Sequence, residues 1–260
     1  NLPLSLPPLD EQRLIVRFLD WHGAQAAKLI RAKKRITALL NEEKQAIIHR
    51  AVTRGLDPNV KLRPSGIPWL GDVPKGWELK RLRNLADMRV SNVDKKSFDD
   101  EQPVRLCNYV DVYKNDAIHA EIPFMQATAS RAEIERFRLR IDDVVITKDS
   151  EDWRDIGVPA LVRTEAEDLV CAYHLALLRP GQGTDGAFLF WQLLAPHVRR
   201  QFAIAANGVT RYGLSHGSIK ETVLLAPDLA EQRAIAAYLN TATSGIRRAD
   251  DDEHGDGGRL

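Results

Sequence analysis

The sequence has little cysteine, little net charge and no long apolar run, and each absence narrows the class of protein. Two cysteines, Cys107 and Cys171, among 260 residues are too few for a disulfide framework, which predicts a chain that works in a reducing cytoplasm. No apolar run approaches the ~18 residues of a membrane-spanning helix, and no signal peptide is recognisable. The net charge of +1 does not by itself indicate a nucleic-acid partner.

Motifs of common enzyme sites are absent as well. There is no Gly-rich phosphate loop, and the seven histidines are scattered, so the sequence predicts no metal centre. Cys171 and His174 would point to opposite faces of a predicted strand and therefore would not form a nucleophile pair. Asp143, Lys148 and Glu151 have the residue types of a nuclease site, although such combinations are common in a chain with 28% charged residues. We therefore predict no catalytic residue, with a stand-alone nuclease as an alternative.

One stretch of the sequence occurs twice. Residues 4–19 (LSLPPLDEQRLIVRFL) and 224–239 (LLAPDLAEQRAIAAYL) share eight identities at a constant offset of 220. Each copy passes from apolar residues through a proline into a predicted helix with acidic residues in its first turn. The repeat indicates a duplicated module of domain size, with the sequence starting and stopping at equivalent points.

A single long helix is predicted over residues 9–53. Apolar residues recur in steps of four and three, as in a coiled-coil seam, and we predict a subunit interface at Ile15, Leu19, Ala26, Leu29, Ile36, Leu40 and Ile47. His22, Lys33 and Glu43 interrupt the seam and either set its register or are simply solvated. A helix of this length needs a partner, because most helical stability comes from packing one face.

The rest of the chain predicts a mixed domain between two helical segments, and hence an α+β fold class. Residues 54–76, with four prolines and four glycines, are predicted as a linker that Trp69 anchors, or in which Trp69 stacks on DNA. Residues 77–226 mix strand and helix patterns and predict an α+β domain, with β-rich residues 104–113, paired strands in 157–180 and helices divided by Pro196. Residues 227–248 predict the start of a second helix, and residues 249–260 a disordered acidic, Gly-rich tail.

Two polar loops of this domain have the residue types that contact DNA. Asn207–Ser215 and Thr147–Arg154 combine glycines, hydroxyl groups, cations and a ring. Arginine reads guanine in the major groove, and hydroxyl groups bind phosphates, although ordinary solvated turns have similar compositions. The DNA-binding residues that we predict are Lys148, Ser150, Arg154, Thr210, Arg211, Tyr212 and Ser215.

Several segments together resemble the specificity subunit of a type I restriction–modification enzyme. They are the repeated helix entry at 7–12 and 227–232, the junction AVTRGLDPNVKLRPSGIPWLGDVPKGWE (51–78), the strand LRIDDVVITK (139–148) and the stretch GVTRYGLSHGSI (208–219). The resemblance covers residues 1–245 and is loose inside the mixed domain, which varies within this family.

The resemblance implies that this chain recognises DNA and has no catalytic residues of its own. Each target recognition domain of such a subunit reads one half of a bipartite DNA site, and two conserved helices form a fixed-length spacer. Methyltransferase subunits clamp on those helices and carry the S-adenosylmethionine chemistry, while a restriction subunit performs ATP-driven translocation and Mg²⁺-dependent cleavage.

This sequence departs from the family pattern in having only one recognition domain, at residues 77–226. Residues 1–8 resemble the last strand of a preceding domain, and there is no initiator Met, so we expect a distal half that starts inside a longer reading frame. A homodimer could restore two domains. A coiled-coil scaffold that does not bind DNA is a further alternative.

Overall fold

A computed structural model describes residues 6–244. The predictions for residues 1–5, for residues 245–248 of the second helix and for the tail at 249–260 therefore lie outside the described residues. The described residues fall into two compact units, one that contains residues 6–44 and 243–244 and one that contains Gln45–Ala242.

The helices of the described range have the following bounds: α1 Leu9–Arg54, α2 Tyr109–Lys114, α3 Arg131–Phe137, α4 Gly186–Leu194, α5 Pro196–Ala205, α6 His216–Glu221 and α7 Leu229–Ala242. A 3-10 turn covers Leu82–Asn84. The strands are β1 Leu62–Pro64, β2 Asp72–Pro74, β3 Glu78–Arg81, β4 Ala86–Val90, β5 Gln102–Cys107, β6 Ala117–Ile118, β7 Met125–Ala129, β8 Val144–Thr147, β9 Asp149–Ser150, β10 Pro159–Val162, β11 Leu169–Cys171, β12 Leu175–Pro180, β13 Tyr212–Gly213 and β14 Val223–Ala226.

Helix α1 is continuous over 46 residues. Asp10 and Glu11 place negative charge in its first turn, where the helix dipole favours it. The helix ends at Arg54, and the next residue, Gly55, has a φ of 74°, a left-handed conformation that glycine adopts without strain. The Gly55 N–H donates to the Ala51 carbonyl. Its residues up to Lys44 are mostly exposed, whereas Ile48, Ala51 and Val52 near its end are buried.

A five-stranded sheet with the order β4-β12-β8-β10-β6 forms the centre of the mixed domain. Its strands pair antiparallel except for β6 and β10, which are parallel. Successive side chains of a strand face opposite sides of the sheet, and along β8 Val144 and Ile146 enter one hydrophobic core while Val145 enters another. The sheet is therefore buried on both faces.

Helices cover one face of this sheet, and a smaller sheet lies in the core on the other. The first core contains residues of α4, α5 and α7 and the buried end of α1. The second contains the three-stranded sheet β11-β5-β7. Strands β3 and β14, at the two ends of the domain, pair antiparallel with Ala226 opposite Glu78. The predicted α+β fold class, with a long helix, a mixed domain and a short second helix, is confirmed.

Three details differ from the sequence predictions. Residues 104–113 do not stay extended, because Asp111 accepts a hydrogen bond from the Asn108 N–H and α2 begins at Tyr109. The strands predicted as a pair in 157–180 are not neighbours, since β8 lies between β10 and β12, and β11 joins the smaller sheet. The segment predicted as a linker contains the β1–β2 hairpin. Pro196 does divide two helices, as predicted.

Candidate nucleic-acid interface

The two loops that the sequence singles out lie side by side. Strand β9 pairs antiparallel with β13, so that Tyr212 is opposite Ser150 and Gly213 is opposite Asp149. The Leu214 N–H donates to the Lys148 carbonyl at 2.9 Å and extends the pairing by one residue. Segments more than sixty residues apart in the chain thus form one two-stranded ribbon, which we call the β9–β13 ribbon.

The loop before β13 is a tight turn that exposes its tip. Asn207 and Gly213 exchange backbone hydrogen bonds of 3.1 and 2.8 Å, which close the loop between them. Gly208 has a φ of 149°, and a Cβ atom there would lie 2.0 Å from the Arg211 carbonyl oxygen, so the turn requires glycine. Val209 at the tip is 90% exposed, and Arg211 is also exposed.

The carboxylate of Asp149, the first residue of β9, contacts two neighbouring side chains. The Asp149 carboxylate lies 2.5 Å from Nδ1 of His174 and 3.7 Å from Nζ of Lys148. His174 has a φ of 68°, and its carbonyl accepts from the Lys148 N–H at 2.9 Å. Lys148 is therefore held by both its side chain and its backbone, beside β9.

A cleft of about 610 Å³ lies beside the ribbon. Tyr109 and Tyr113, one turn apart on α2, stack with their ring centroids 5.5 Å apart. Burial raises the pKa of Tyr109. The hydrogen bond that Tyr113 donates to Asp155 raises the pKa of Tyr113 to about 12. The bond between Tyr113 and Asp155 connects α2 to the loop after β9.

The charged residues of the cleft divide into paired and unpaired groups. Asp152 accepts from the guanidinium of Arg154, with a shortest distance of 2.7 Å, and Asp155 accepts from Arg199 at 3.3 Å as well as from Tyr113. Arg211 and Glu151 are exposed, and no other side chain in the described part of the chain pairs with either of them.

The predicted DNA-binding residues are in part brought together. Ser150, Arg211 and Tyr212 belong to the ribbon or line the cleft, Lys148 lies directly before β9, and Thr210 is in the exposed tip. Two others have structural bonds: the Ser215 hydroxyl accepts from the Ser218 N–H at the start of α6, and Arg154 pairs with Asp152.

Sequence reasoning missed Tyr109, Tyr113 and Asp155 as members of this site. The capping sequence Asn108–Asp111 is the signal that could have revealed the two tyrosines, because a helix that starts there puts them on one face.

The residues of the nuclease alternative do not form a site. Asp143 is 1% exposed, and both of its oxygens accept from Arg179, at 2.9 and 2.7 Å. Asp143 and Lys148 flank opposite ends of β8. Cys171 is buried, and burial raises the pKa of its thiol, whereas His174 pairs with Asp149. Within residues 6–244, no three His, Cys, Asp or Glu side chains come together as a metal site.

The two copies of the repeat share a hydrogen bond but differ in burial. Gln232 donates to the Pro227 carbonyl at 2.8 Å, and Gln12 donates to the Pro7 carbonyl at 2.7 Å. In the second copy Ile235 and Leu239 are fully buried, whereas their counterparts Ile15 and Leu19 are 44% and 60% exposed. The predicted interface residues Leu29 and Ile36 are also exposed, Ala26 is exposed and Leu40 half-buried, whereas Ile47 packs on the first core.

Curated proteins with similar sequences are subunits of restriction enzymes. The type I restriction enzyme MjaVIII specificity subunit of Methanocaldococcus jannaschii is 20% identical over 250 residues, which are 93% of this chain and 55% of that protein. The putative type I restriction enzyme MjaX specificity subunit of the same organism is 22% identical over 175 residues, 66% of this chain and 40% of that protein. The chain is related to type I restriction enzyme specificity subunits. It spans about half the length of these relatives, and no family model matches it.

Solved structures of this class share the fold. The HsdS subunit of Thermoanaerobacter tengcongensis aligns over 95% of this chain and 54% of its own, at 17% identity and a TM-score of 0.55. A chain from a structure of complex assembly and conformational transition of the type I R-M system aligns over 96% of this chain and 57% of its own, at 18% identity and a TM-score of 0.64. Within residues 6–244, no helix is long and apolar enough to cross a membrane.

Proposed function

We propose that this chain is a sequence-specific DNA-recognition subunit of a type I restriction–modification complex, and that its mixed domain reads one half of a bipartite target in double-stranded DNA. The pairing of the two polar loops in the β9–β13 ribbon is the observation that carries this proposal. A two-stranded ribbon fits the major groove of B-DNA, and Arg211 and Thr210 lie at its exposed end.

The catalytic steps are assigned to other subunits. Methyltransferase subunits would bind S-adenosylmethionine, and a restriction subunit would bind ATP and Mg²⁺. Both carboxylate oxygens of Asp143 accept hydrogen bonds from the Arg179 guanidinium, so Asp143 is not free to bind a metal ion. This pairing supports a non-catalytic role for this chain over a stand-alone nuclease. Purified chain with Mg²⁺ and plasmid DNA is expected to leave the plasmid intact, and cleavage that Lys148→Ala abolishes would contradict the proposal.

Exposed apolar residues of α1 support a role in assembly. Leu19, Leu29 and Ile36 are each more than half exposed, which is costly unless a partner covers them. The partner is a methyltransferase subunit or the α1 helix of a second copy, and the second arrangement would restore two recognition domains.

Co-purification and binding selection test the function. The full chain, alone and with co-expressed methyltransferase subunits, is incubated with a library of randomised DNA duplexes, and the bound duplexes are sequenced. Enrichment of one sequence is the expected result. A chain that binds methyltransferase subunits without enriching any DNA sequence would instead be a scaffold.

Arg211→Ala is expected to reduce discrimination between selected and random duplexes by about tenfold, since a bidentate contact between Arg and guanine contributes roughly 1–3 kcal/mol of discrimination. Affinity for random DNA should change little. Arg131→Ala, which removes an exposed arginine from α3, is the matched control. Equal losses on selected and random DNA would show that Arg211 contacts phosphate and does not read a base.

A further inference from the structure

The cleft beside the ribbon holds two opposite charges that do not neutralise each other. Arg211 and Glu151 both line it, both are exposed, and neither is paired with another side chain in the described range. The other charged groups of the cleft are engaged, Asp152 by Arg154 and Asp155 by Arg199 and Tyr113. A ligand of this cleft therefore meets one unpaired donor group and one unpaired acceptor group.

A phosphate does not suit this arrangement. The unpaired carboxylate of Glu151 lines the same cleft as Arg211, whereas those of Asp152 and Asp155 are paired with arginines. The charge of Glu151 repels an anion, so that the gain from Arg211 would be opposed. A base edge carries no net charge and escapes this repulsion. The cleft is therefore suited to the groove edge of the duplex and not to its backbone.

One base pair offers both complementary groups. In the major groove guanine presents two acceptors, N7 and O6, and its partner cytosine presents the N4 amino donor. A bidentate arginine is the usual reader of guanine, and a glutamate accepts from N4 of cytosine. An A·T pair places a donor beside N7 on its purine, where a guanidinium has nothing to accept its second hydrogen bond.

We propose that the cleft reads a single G·C base pair, with Arg211 donating to N7 and O6 of guanine and Glu151 accepting from N4 of cytosine. This inference rests on the proposed function, because it specifies which base pair the recognition domain selects at this position. The hydrogen bond that Tyr113 donates to Asp155 ties α2 to the loop that carries Glu151.

The decisive variant is Glu151→Gln. A glutamine amide both donates and accepts, and it pairs with adenine. At one position of the selected sequence, the preference of the variant for cytosine should therefore be about tenfold lower than that of the wild type. Other positions should keep their preferences. Glu151 is exposed, so the change leaves the fold intact, which circular dichroism can verify. Glu135→Gln on α3, which removes an exposed carboxylate from another element, is the matched control.

A modified base gives a second readout. When 7-deazaguanine replaces guanine at the proposed position, the wild-type chain should bind the duplex several-fold more weakly. The Arg211→Ala variant should bind the modified and the unmodified duplex equally well, because it has already lost the contact to N7. Independent losses from the two changes would overturn the assignment of Arg211 to this guanine.

The results of these experiments distinguish a failure of the G·C reading from a failure of the proposed DNA-recognition function. If the wild type selects a sequence, and Glu151→Gln selects the same sequence with the same preferences, the reading of a G·C pair is wrong and the recognition function stands. If the wild type selects no sequence, with or without methyltransferase subunits, both fail.

Discussion

At the scale of single residues, His197 is a buried histidine without a polar partner in the described range. His197 is 5% exposed, and neither ring nitrogen has a hydrogen-bond partner in residues 6–244. The ring contacts those of His49 and Trp69, at centroid distances of 5.8 and 6.4 Å. Trp69 therefore packs on the chain itself, as the linker interpretation predicts, although it remains 44% exposed.

Acid is expected to destabilise the protein through His197. Burial, and to a lesser degree the charge of His49, lowers the pKa of His197 to about 4. Since the unfolded chain has a histidine pKa of about 6.5, it binds the proton first, and stability is lost as the pH falls from about 6.5 towards 4. His197 should account for a loss of about 2 kcal/mol between pH 7 and pH 5.

Urea unfolding at both pH values measures this loss. His197→Phe retains a ring and removes the titrating group, so its stability should fall less with acid than that of the wild type. His216→Phe, a change at an exposed histidine, should leave the acid dependence unaltered. An identical acid dependence of wild type and His197→Phe would show that another group is responsible.

At the scale of elements, the two copies of the repeat carry the same sequence signal in different surroundings. Gln232 is 2% exposed; it donates to the carbonyls of Gly183 and Pro227 and accepts from the Asp185 N–H. Gln12 is only half-buried and donates to Pro7. The hydrogen bond between the glutamine and the proline carbonyl thus forms from local sequence alone. The burial of the glutamine, in contrast, depends on a domain packed against it.

The repeat supplies its own matched pair of variants. Gln232→Ala should lower the free energy of unfolding by about 2 kcal/mol, because it removes the partner of three backbone groups, of which the Pro227 carbonyl is buried. Gln12→Ala, at the equivalent position, should cost about 1 kcal/mol or less. Urea denaturation followed by circular dichroism compares them, and equal effects would contradict this account.

Elements with strong local signals were predictable from the sequence, and long-range pairing was not. The periodicity of α1 and the proline between α4 and α5 each act within a few residues. The position of β8 between β10 and β12 depends on partners that no local pattern specifies. For the site, the residue types of the two loops were recognisable, but Tyr109 was hidden because a β-rich run continues into α2.

At the scale of the whole molecule, the apolar surface of α1 exceeds what a single seam requires. Leu14, Val16, Phe18 and Trp21 are 54–62% exposed, in addition to the seam residues Ile15 and Leu19. The corresponding residues of the second copy include the smaller Ala234, Ala236 and Thr241. The start of α1 therefore carries larger apolar side chains than the start of the equivalent helix in the second copy.

Self-association through this helix is testable by substitution. Ile36→Asp should shift the chain towards the monomer in sedimentation velocity, because it places a charge in the proposed contact. Ala38→Asp adds the same charge about 200° around the helix and should leave association unchanged. If both variants remain associated to the same extent, α1 is not the contact between copies.

The pairing of β3 with β14 brings the entry and exit of the mixed domain next to each other. A polypeptide segment whose two ends are neighbours can be transplanted between host proteins with little strain on either junction. Replacement of the codons for residues 78–226 by those of a related gene would exchange the whole mixed domain, and with it the DNA preference that we propose for it, in a single event. The flanking helices would be inherited unaltered.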